Sequence, residues 1–346
     1  MSGSRSSEAG ILSYHEDLSG TLRCRRIKSE ALGIYKPHYA YEPPGYESDD
    51  TVPIVYLFRG HEREWVNIDE DNSRGHSTAI QDIDLLIKRK VLPPMVLLMP
   101  GVSSTNNAVH SLGIDMMGVG VGGRGIGTGQ FYTYLTEEFI PTMEQRYRVR
   151  PYQGRIAIGF SLGGYICSLL ATRFSGYFDH VGIYDGTLPF GGYQDPRQVG
   201  DAKYTDRVWC RSPLLDTALG KPRKFAKMSA WNSVDIIRRA DFHQLFQIRK
   251  TMFWVGSAAY GGYVGNRDRS RYFLDVLSEH DIPAGTRDVV FANDASHTWH
   301  WTDRFAVSLL YRLFVEEALP VKGKLSFVAK HLFQQPGTTG DSTKLG

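Results

Sequence analysis

The sequence predicts an α/β fold: a mostly parallel central sheet flanked by helices, with an irregular insertion over one end. Three observations carry this. Short apolar runs alternate with segments of helical periodicity along most of the chain, the pattern that lays helices on the faces of a parallel sheet. Residues 155 to 164, Arg-Ile-Ala-Ile-Gly-Phe-Ser-Leu-Gly-Gly, read as a buried strand, a glycine-flanked turn and a helix start. The 346 residues, 42% hydrophobic and 22% charged, suffice to bury one large core as a single unit.

In chain order, residues 1 to 10 are polar and expected to be disordered, and residues 11 to 333 are expected to form one domain. A β-rich entry reaches Tyr41. Val52 to Phe58 and Met95 to Met99 read as strands, with a helix from Ser77 to Lys90 between them. A second helix is predicted over Gly129 to Tyr147. The continuous apolar run Ile156-Ala157-Ile158 suits a strand covered on both faces, and the helix Ser161 to Phe174 follows it. His180 to Tyr184 is the next strand. Residues 186 to 232 lack periodicity and carry Phe190, Tyr193, Tyr204 and Trp209, so they are expected to form an insertion over the site, where loops set specificity. Met252 to Gly256 and the β-like run Arg287 to Phe291 come next, each followed by a helix, over Arg267 to His280 and Trp299 to Glu317. Residues 334 to 346, polar with Gly and Thr, read as a disordered tail.

Gly159-Phe160-Ser161-Leu162-Gly163 between strand and helix has the spelling of a nucleophile elbow. A serine on so sharp a turn needs small residues two before and two after it, where backbones approach closely. The base belongs late in the chain. His297 follows the last predicted strand and precedes the last helix, whereas His110 sits among loop residues, His180 and His243 adjoin regular elements and His300 falls inside the next helix.

The acid is ambiguous. The loop after Met252 to Gly256, its usual place, holds no carboxylate until Asp268, while the strand His180 to Tyr184 ends directly on Asp185. Asp185 is favoured because it shares the carboxyl edge of the sheet with Ser161. Asp268 is the alternative acid, with a helix-capping role as its plainer reading, and Asp294 reads as a turn former. Two N–H groups are expected to form an oxyanion hole: Leu162, after the nucleophile, and His61, in the loop Arg59-Gly60-His61-Glu62 after an early strand.

With these residues the chain resembles the esterase D-like family of the α/β-hydrolase superfamily, whose members include S-formylglutathione hydrolases, feruloyl and siderophore esterases and mycolyltransferases. The resemblance spans roughly residues 15 to 317. Its landmarks are Tyr41-Glu42-Pro43-Pro44-Gly45-Tyr46, Tyr56-Leu57-Phe58-Arg59-Gly60, Tyr134 to Pro141 before Arg146-Tyr147-Arg148-Val149, the Ser161 elbow and His297-Thr298-Trp299. It implies an α/β-hydrolase fold with Ser161 as nucleophile, His297 as base and His61 with Leu162 as oxyanion donors. Arg59 stands where many members carry His, and the usual acid position is vacant.

The expected activity is that of a serine carboxylesterase acting on a small-molecule ester through an acyl-enzyme. Acyl transfer to an alcohol is the alternative, as is a non-catalytic binding protein on the same scaffold. Trp65 and Trp299, with Tyr260 or Tyr263, are candidate substrate-contacting aromatics.

A net charge of +3 with scattered Lys and Arg makes no case for nucleic acid or an anionic membrane. Gly120 to Gly125 matches G-x-G-x-x-G but does not directly follow a strand, so no dinucleotide is expected. His297 and His300 lack companions at ligand spacing, so neither metal nor other cofactor is expected. Three cysteines and no apolar signal core suggest a cytoplasmic protein, and the oligomeric state stays open.

Overall fold

The structure, a computed structural model, describes residues 7–47, 50–118, 123–150, 154–192, 206–259, 265–286 and 288–316. Its frame is a seven-stranded sheet of order β1-β2-β4-β3-β5-β6-β7. β1 (Thr21–Ser29) and β2 (Ile34–Glu42) form an antiparallel hairpin, and β2 pairs antiparallel with β4 (Val96–Pro100). β3 (Ile54–Phe58), β4, β5 (Arg155–Phe160), β6 (His180–Tyr184) and β7 (Met252–Gly256) are mutually parallel. Every residue of β3, β4 and β6 is buried, which is why these strands are written as unbroken apolar runs rather than alternating ones.

Helices cover both faces. One layer packs α4 (Ile140–Tyr147), α5 (Leu162–Arg173) and α10 (Asn266–Glu279) through side chains such as Ile140, Leu169 and Phe273; the other packs α2 (Ala79–Lys88) and α11 (Trp299–Tyr311) through Ile80, Ile83, Phe305 and Leu310. α2 begins at Thr78, whose N–H donates to the Gln81 side chain at 2.8 Å, the reciprocal cap that the Thr-x-x-Gln spelling encodes.

Three departures from the sequence expectations have local causes. Residues 8 to 10, expected to be disordered, belong to α1 (Glu8–Tyr14), where the Ser7 hydroxyl accepts from the Gly10 N–H and Ile11 is buried. One cap and one anchor hold a helix too short to show periodicity. The helix expected over 129 to 147 is composite: α3 (Phe131–Thr133) passes through a π-helical stretch, Tyr134–Phe139, into α4. Pro141 lies at the start of α4 and cannot donate to the preceding turn, which accounts for the changed register.

Among its described residues, 288 to 291, the β-like run ending at Phe291 forms a single bridge, between Val290 and Ser257, in place of a strand. The Asp288 carboxylate accepts the Val290 N–H at 3.0 Å, a local turn that competes with the ladder. The described part of the 186 to 232 insertion is broken into short pieces, including α6 (Asp216–Leu219) and α7 (Phe225–Ser229), before α8 (Ser233–Arg239) and α9 (Phe242–Ile248). Tyr193, Tyr204, Tyr260, Tyr263 and the tail from 334 lie outside the described residues, as does part of the Gly120 to Gly125 motif.

Candidate active site

The carboxyl ends of three neighbouring strands build the site. Phe160, Tyr184 and Gly256 stand in register on β5, β6 and β7, so the residues that follow them emerge side by side at one edge. That edge is where open parallel sheets place their ligands. Ser161 emerges first, at φ 55° and ψ −115°, a backbone conformation that an L-residue keeps only where its surroundings impose it. Here they do: its N–H donates to the Tyr184 carbonyl at 3.1 Å, and its own carbonyl accepts the Thr187 N–H at 3.0 Å. The flanking glycines permit the turn. A Cβ at Gly159 would strike the Gly163 carbonyl, and one at Gly163 would strike the carbonyl of Phe58 on β3.

Asp185 emerges from β6, also at positive φ (42°), with its N–H donated to the Gly256 carbonyl at 2.7 Å. Its side chain is 0% exposed. The carboxylate Oδ1 accepts the Ala258 N–H at 3.0 Å, and Oδ2 accepts from His297 Nδ1 at 2.5 Å and from Asn266 Nδ2 at 3.2 Å. A buried carboxylate needs such donors to satisfy its oxygens. The structure thus brings His297 and Asp185 together, while Asp268 sits on the exposed side of the first turn of α10, where a negative charge suits the helix dipole.

His297 is held from both sides. Its ring lies 4.6 Å from that of Phe160, the residue before the nucleophile, and the Tyr184 hydroxyl donates to the neighbouring Ser296 carbonyl at 2.7 Å. α11 then begins with the Trp299 N–H donated to Asp71 and the His300 N–H to Ser73. Ser161 is buried at 3% exposure, and its Oγ lies 3.4 Å from the hydroxyl of Thr187. Directly behind it α5 starts at Leu162, at the helix end whose N–H groups point out of the helix; those of Gly164 and Tyr165 reach back to the Ser161 carbonyl.

Two expectations differ from the observed placement. The His61 N–H is donated to Glu64 Oε2 at 2.6 Å, with the Gly60 N–H sharing the same oxygen at 2.9 Å. Glu64 stands three residues after His61, at the reach of a capping-box carboxylate folding back on the start of a turn. The His61 ring is fixed as well, its Nε2 within 3.0 Å of the Thr105 carbonyl. The second difference concerns Trp65 and Trp299, read from the sequence as rings at the mouth. They are 1% and 3% exposed and meet edge to face at 5.1 Å. Arg74, bidentate to Asp303, lies over Trp299 at 4.2 Å, so the two indoles form a packed wall behind Phe160 and His297 rather than a surface for a ligand.

Sequence reasoning missed Asn266 and Thr187. Both are polar residues close in sequence to the expected acid positions, but only the fold shows which groups they face. Among the described residues no three His, Cys, Asp or Glu side chains converge to hold a metal ion, and no helix is long and apolar enough to cross a membrane.

A mostly parallel sheet with a serine on the sharp turn after β5 and a histidine after the last bridge gives the α/β-hydrolase fold. The chain belongs to the family described as putative esterase, whose model matches residues 29–237. Its structure is similar to that of a ferulic acid esterase, with a TM-score of 0.62 at 17% identity over 86% of this chain and 99% of that one. It is similar also to an S-formylglutathione hydrolase from Agrobacterium tumefaciens, with a TM-score of 0.57 at 16% identity over 86% and 96% of the two chains. A third likeness is the fluorophosphonate-binding serine hydrolase F of Staphylococcus aureus, with a TM-score of 0.59 at 15% identity over 85% and 98%. No curated protein matches in sequence.

Proposed function

We propose that the protein is a carboxylesterase that cleaves a small-molecule ester through an acyl-enzyme on Ser161. The observation that carries this reading is the 2.5 Å hydrogen bond from His297 Nδ1 to the buried Asp185 carboxylate, at the sheet edge that also bears the Ser161 elbow. With Nδ1 engaged as donor, the imidazole keeps Nε2 as its basic nitrogen, the tautomer a general base requires. In the proposed reaction Ser161 Oγ attacks the ester carbonyl as His297 Nε2 takes its proton. The protonated imidazole then returns the proton to the leaving alcohol. Water, deprotonated by the same nitrogen, hydrolyses the acyl-enzyme and releases the acid. Asp185 keeps the tautomer and stabilises the imidazolium.

Negative charge on the tetrahedral oxygen would be met by the Leu162 N–H at the positive end of α5. His61 is the proposed second donor. Its N–H already holds an anionic oxygen, that of Glu64, so its share in catalysis is an exchange of one anionic acceptor for another. A ferulic acid esterase and an S-formylglutathione hydrolase, both similar in fold, are named for an ester and a thioester respectively, which supports acyl cleavage by this chain and leaves the acyl group open.

The test combines covalent labelling with a fluorophosphonate and hydrolysis of p-nitrophenyl, feruloyl and acetyl-sugar esters. Labelling and turnover that both vanish in Ser161→Ala, with the fold retained, are expected. Labelling that survives the substitution would place the nucleophile elsewhere, and ester product exceeding free acid in the presence of an alcohol would make the enzyme a transferase.

A further inference from the structure

Asn266 opens α10 in the segment after β7 where an acid is ordinarily sought, and it is 0% exposed. Its Nδ2 lies 2.7 Å from the Asp185 carbonyl oxygen and 3.2 Å from Asp185 Oδ2. Two acceptors on that side fix the orientation of the amide, since turning it over would set oxygen against two oxygens. Its Oδ1 is then left buried without a partner, an arrangement that costs stability and so is not explained by stability alone.

The two bonds reach different parts of one residue. The bond to the carbonyl pins a backbone held at φ 42°, a conformation that a non-glycine residue leaves unless restrained. The bond to Oδ2 fixes the side-chain torsion of the same residue, so that the oxygen shared with His297 Nδ1 cannot swing away. Of the three groups on the carboxylate, Ala258 N–H holds Oδ1, His297 is the group to be oriented, and Asn266 is the one side chain among the described residues that braces the oxygen the histidine uses.

We infer that Asn266 is a positioning residue for the reaction: it holds Asp185, carried on β6, in the geometry that lets Asp185 orient His297. The inference rests on the reading of Ser161, His297 and Asp185 given above. It separates the carboxylate, which β6 supplies, from its brace, which the segment after β7 supplies. An amide suits that position because it donates, whereas a carboxylate beside Asp185 would add a second buried negative charge.

The test compares Asn266→Leu, which keeps the approximate shape and removes the donor without adding charge, with Asn266→Ala, which removes both. At pH 8 both are expected to lower kcat about 10- to 100-fold, the range found when a hydrogen-bonded supporting residue is lost, with KM within about threefold of wild type. The proton resonance of the His297 to Asp185 hydrogen bond, read by NMR without substrate, should shift or broaden in both. A role in packing alone predicts the reverse: Asn266→Leu near wild type in kcat with the resonance unmoved. That outcome, or losses confined to KM or to melting temperature, would overturn the inference. Wild-type protein that neither labels with fluorophosphonate nor hydrolyses esters would instead sink the reading beneath it; active wild type with an inactive Asp185→Asn and unaffected Asn266 variants would sink this inference alone.

Discussion

Ser161 and His297 are legible in the sequence because each is marked by something local: two glycines at fixed offsets for the serine, and a place between the last strand-like run and the last helix for the histidine. Both should act as one unit. Ser161→Ala is expected to lower turnover on the order of 10⁶-fold, His297→Ala comparably, and the double variant no further, because the proton and the nucleophile are useless apart. Steady-state rates on one p-nitrophenyl ester check this, and additive losses would argue that the two residues act independently. The acid was readable only as a choice between Asp185 and Asp268, since sequence places both near the right edge and cannot show which carboxylate turns inward. Asp185→Asn is expected to cost roughly 10⁴ in kcat by favouring the wrong imidazole tautomer. Asp268→Asn should leave turnover unchanged and weaken the helix start by about 0.3–1 kcal/mol. Rates and urea unfolding of the two variants decide it, and the opposite ranking would move the acid to α10. What the sequence hides at this scale are contacts made by reach rather than by order. Glu64 folding back onto the His61 N–H and Asn266 bracing Asp185 are both invisible until the loops are built.

At the scale of elements, strands buried on both faces were the easiest to read, because an unbroken apolar run of five or six residues has few other uses. The harder cases all involve competition between a weak local preference and a specific side chain. Pro141 turns one predicted helix into two joined by a π-helical stretch, and Asp288 diverts a β-like run into a turn. The insertion after β6 could be recognised by its lack of periodicity, but its attachment to the body could not. One buried ion pair contributes to that attachment: Arg269 on α10 meets Asp206, within the insertion, in two bonds of 2.6 Å, and donates to the Leu188 carbonyl at 2.8 Å. Both side chains are almost wholly buried. Arg269→Met should therefore destabilise the protein by about 3–5 kcal/mol, chiefly by taking the guanidinium away from the buried Asp206 carboxylate. Arg269→Met combined with Asp206→Leu should recover much of that loss, because an apolar pair leaves no buried charge behind. Denaturant midpoints of the single and double variants give the comparison, and a double variant no better than the single would show that the pair contributes more than relief of desolvation.

For the molecule as a whole, the two apolar layers on either side of the sheet make the fold dependent on the protonation of groups sealed between layers. His38 on β2 is the clearest case. It is buried, with neither ring nitrogen hydrogen-bonded, its ring set edge-on to Phe139, and burial pushes its pKa down to about 4, with Arg146 and Arg25 adding to the effect. The unfolded chain takes up that proton near pH 6.5, so between pH 6.5 and 4 the unfolded state binds more protons than the folded one and stability falls as pH drops through the window. The loss should reach about 2 kcal/mol by pH 5 and about 3 kcal/mol by pH 4. Asp303, raised to about 6 by burial, works in the opposite sense over an overlapping range. Folded protein holds its proton more tightly, so it lends stability as pH falls. A single acid-unfolding curve therefore mixes the two, but comparison with His38→Leu cancels Asp303, which both proteins share. The variant loses two buried, unpartnered nitrogens and keeps an apolar side chain against Phe139, so at pH 7 it should be at least as stable as wild type. Urea unfolding at pH 7, 5 and 4 should show its advantage growing by about 2 kcal/mol at pH 5 and about 3 kcal/mol at pH 4. A constant difference across the three would mean that His38 is protonated in the folded state, or reaches a partner as the protein acidifies, and that the acid sensitivity of the fold lies elsewhere.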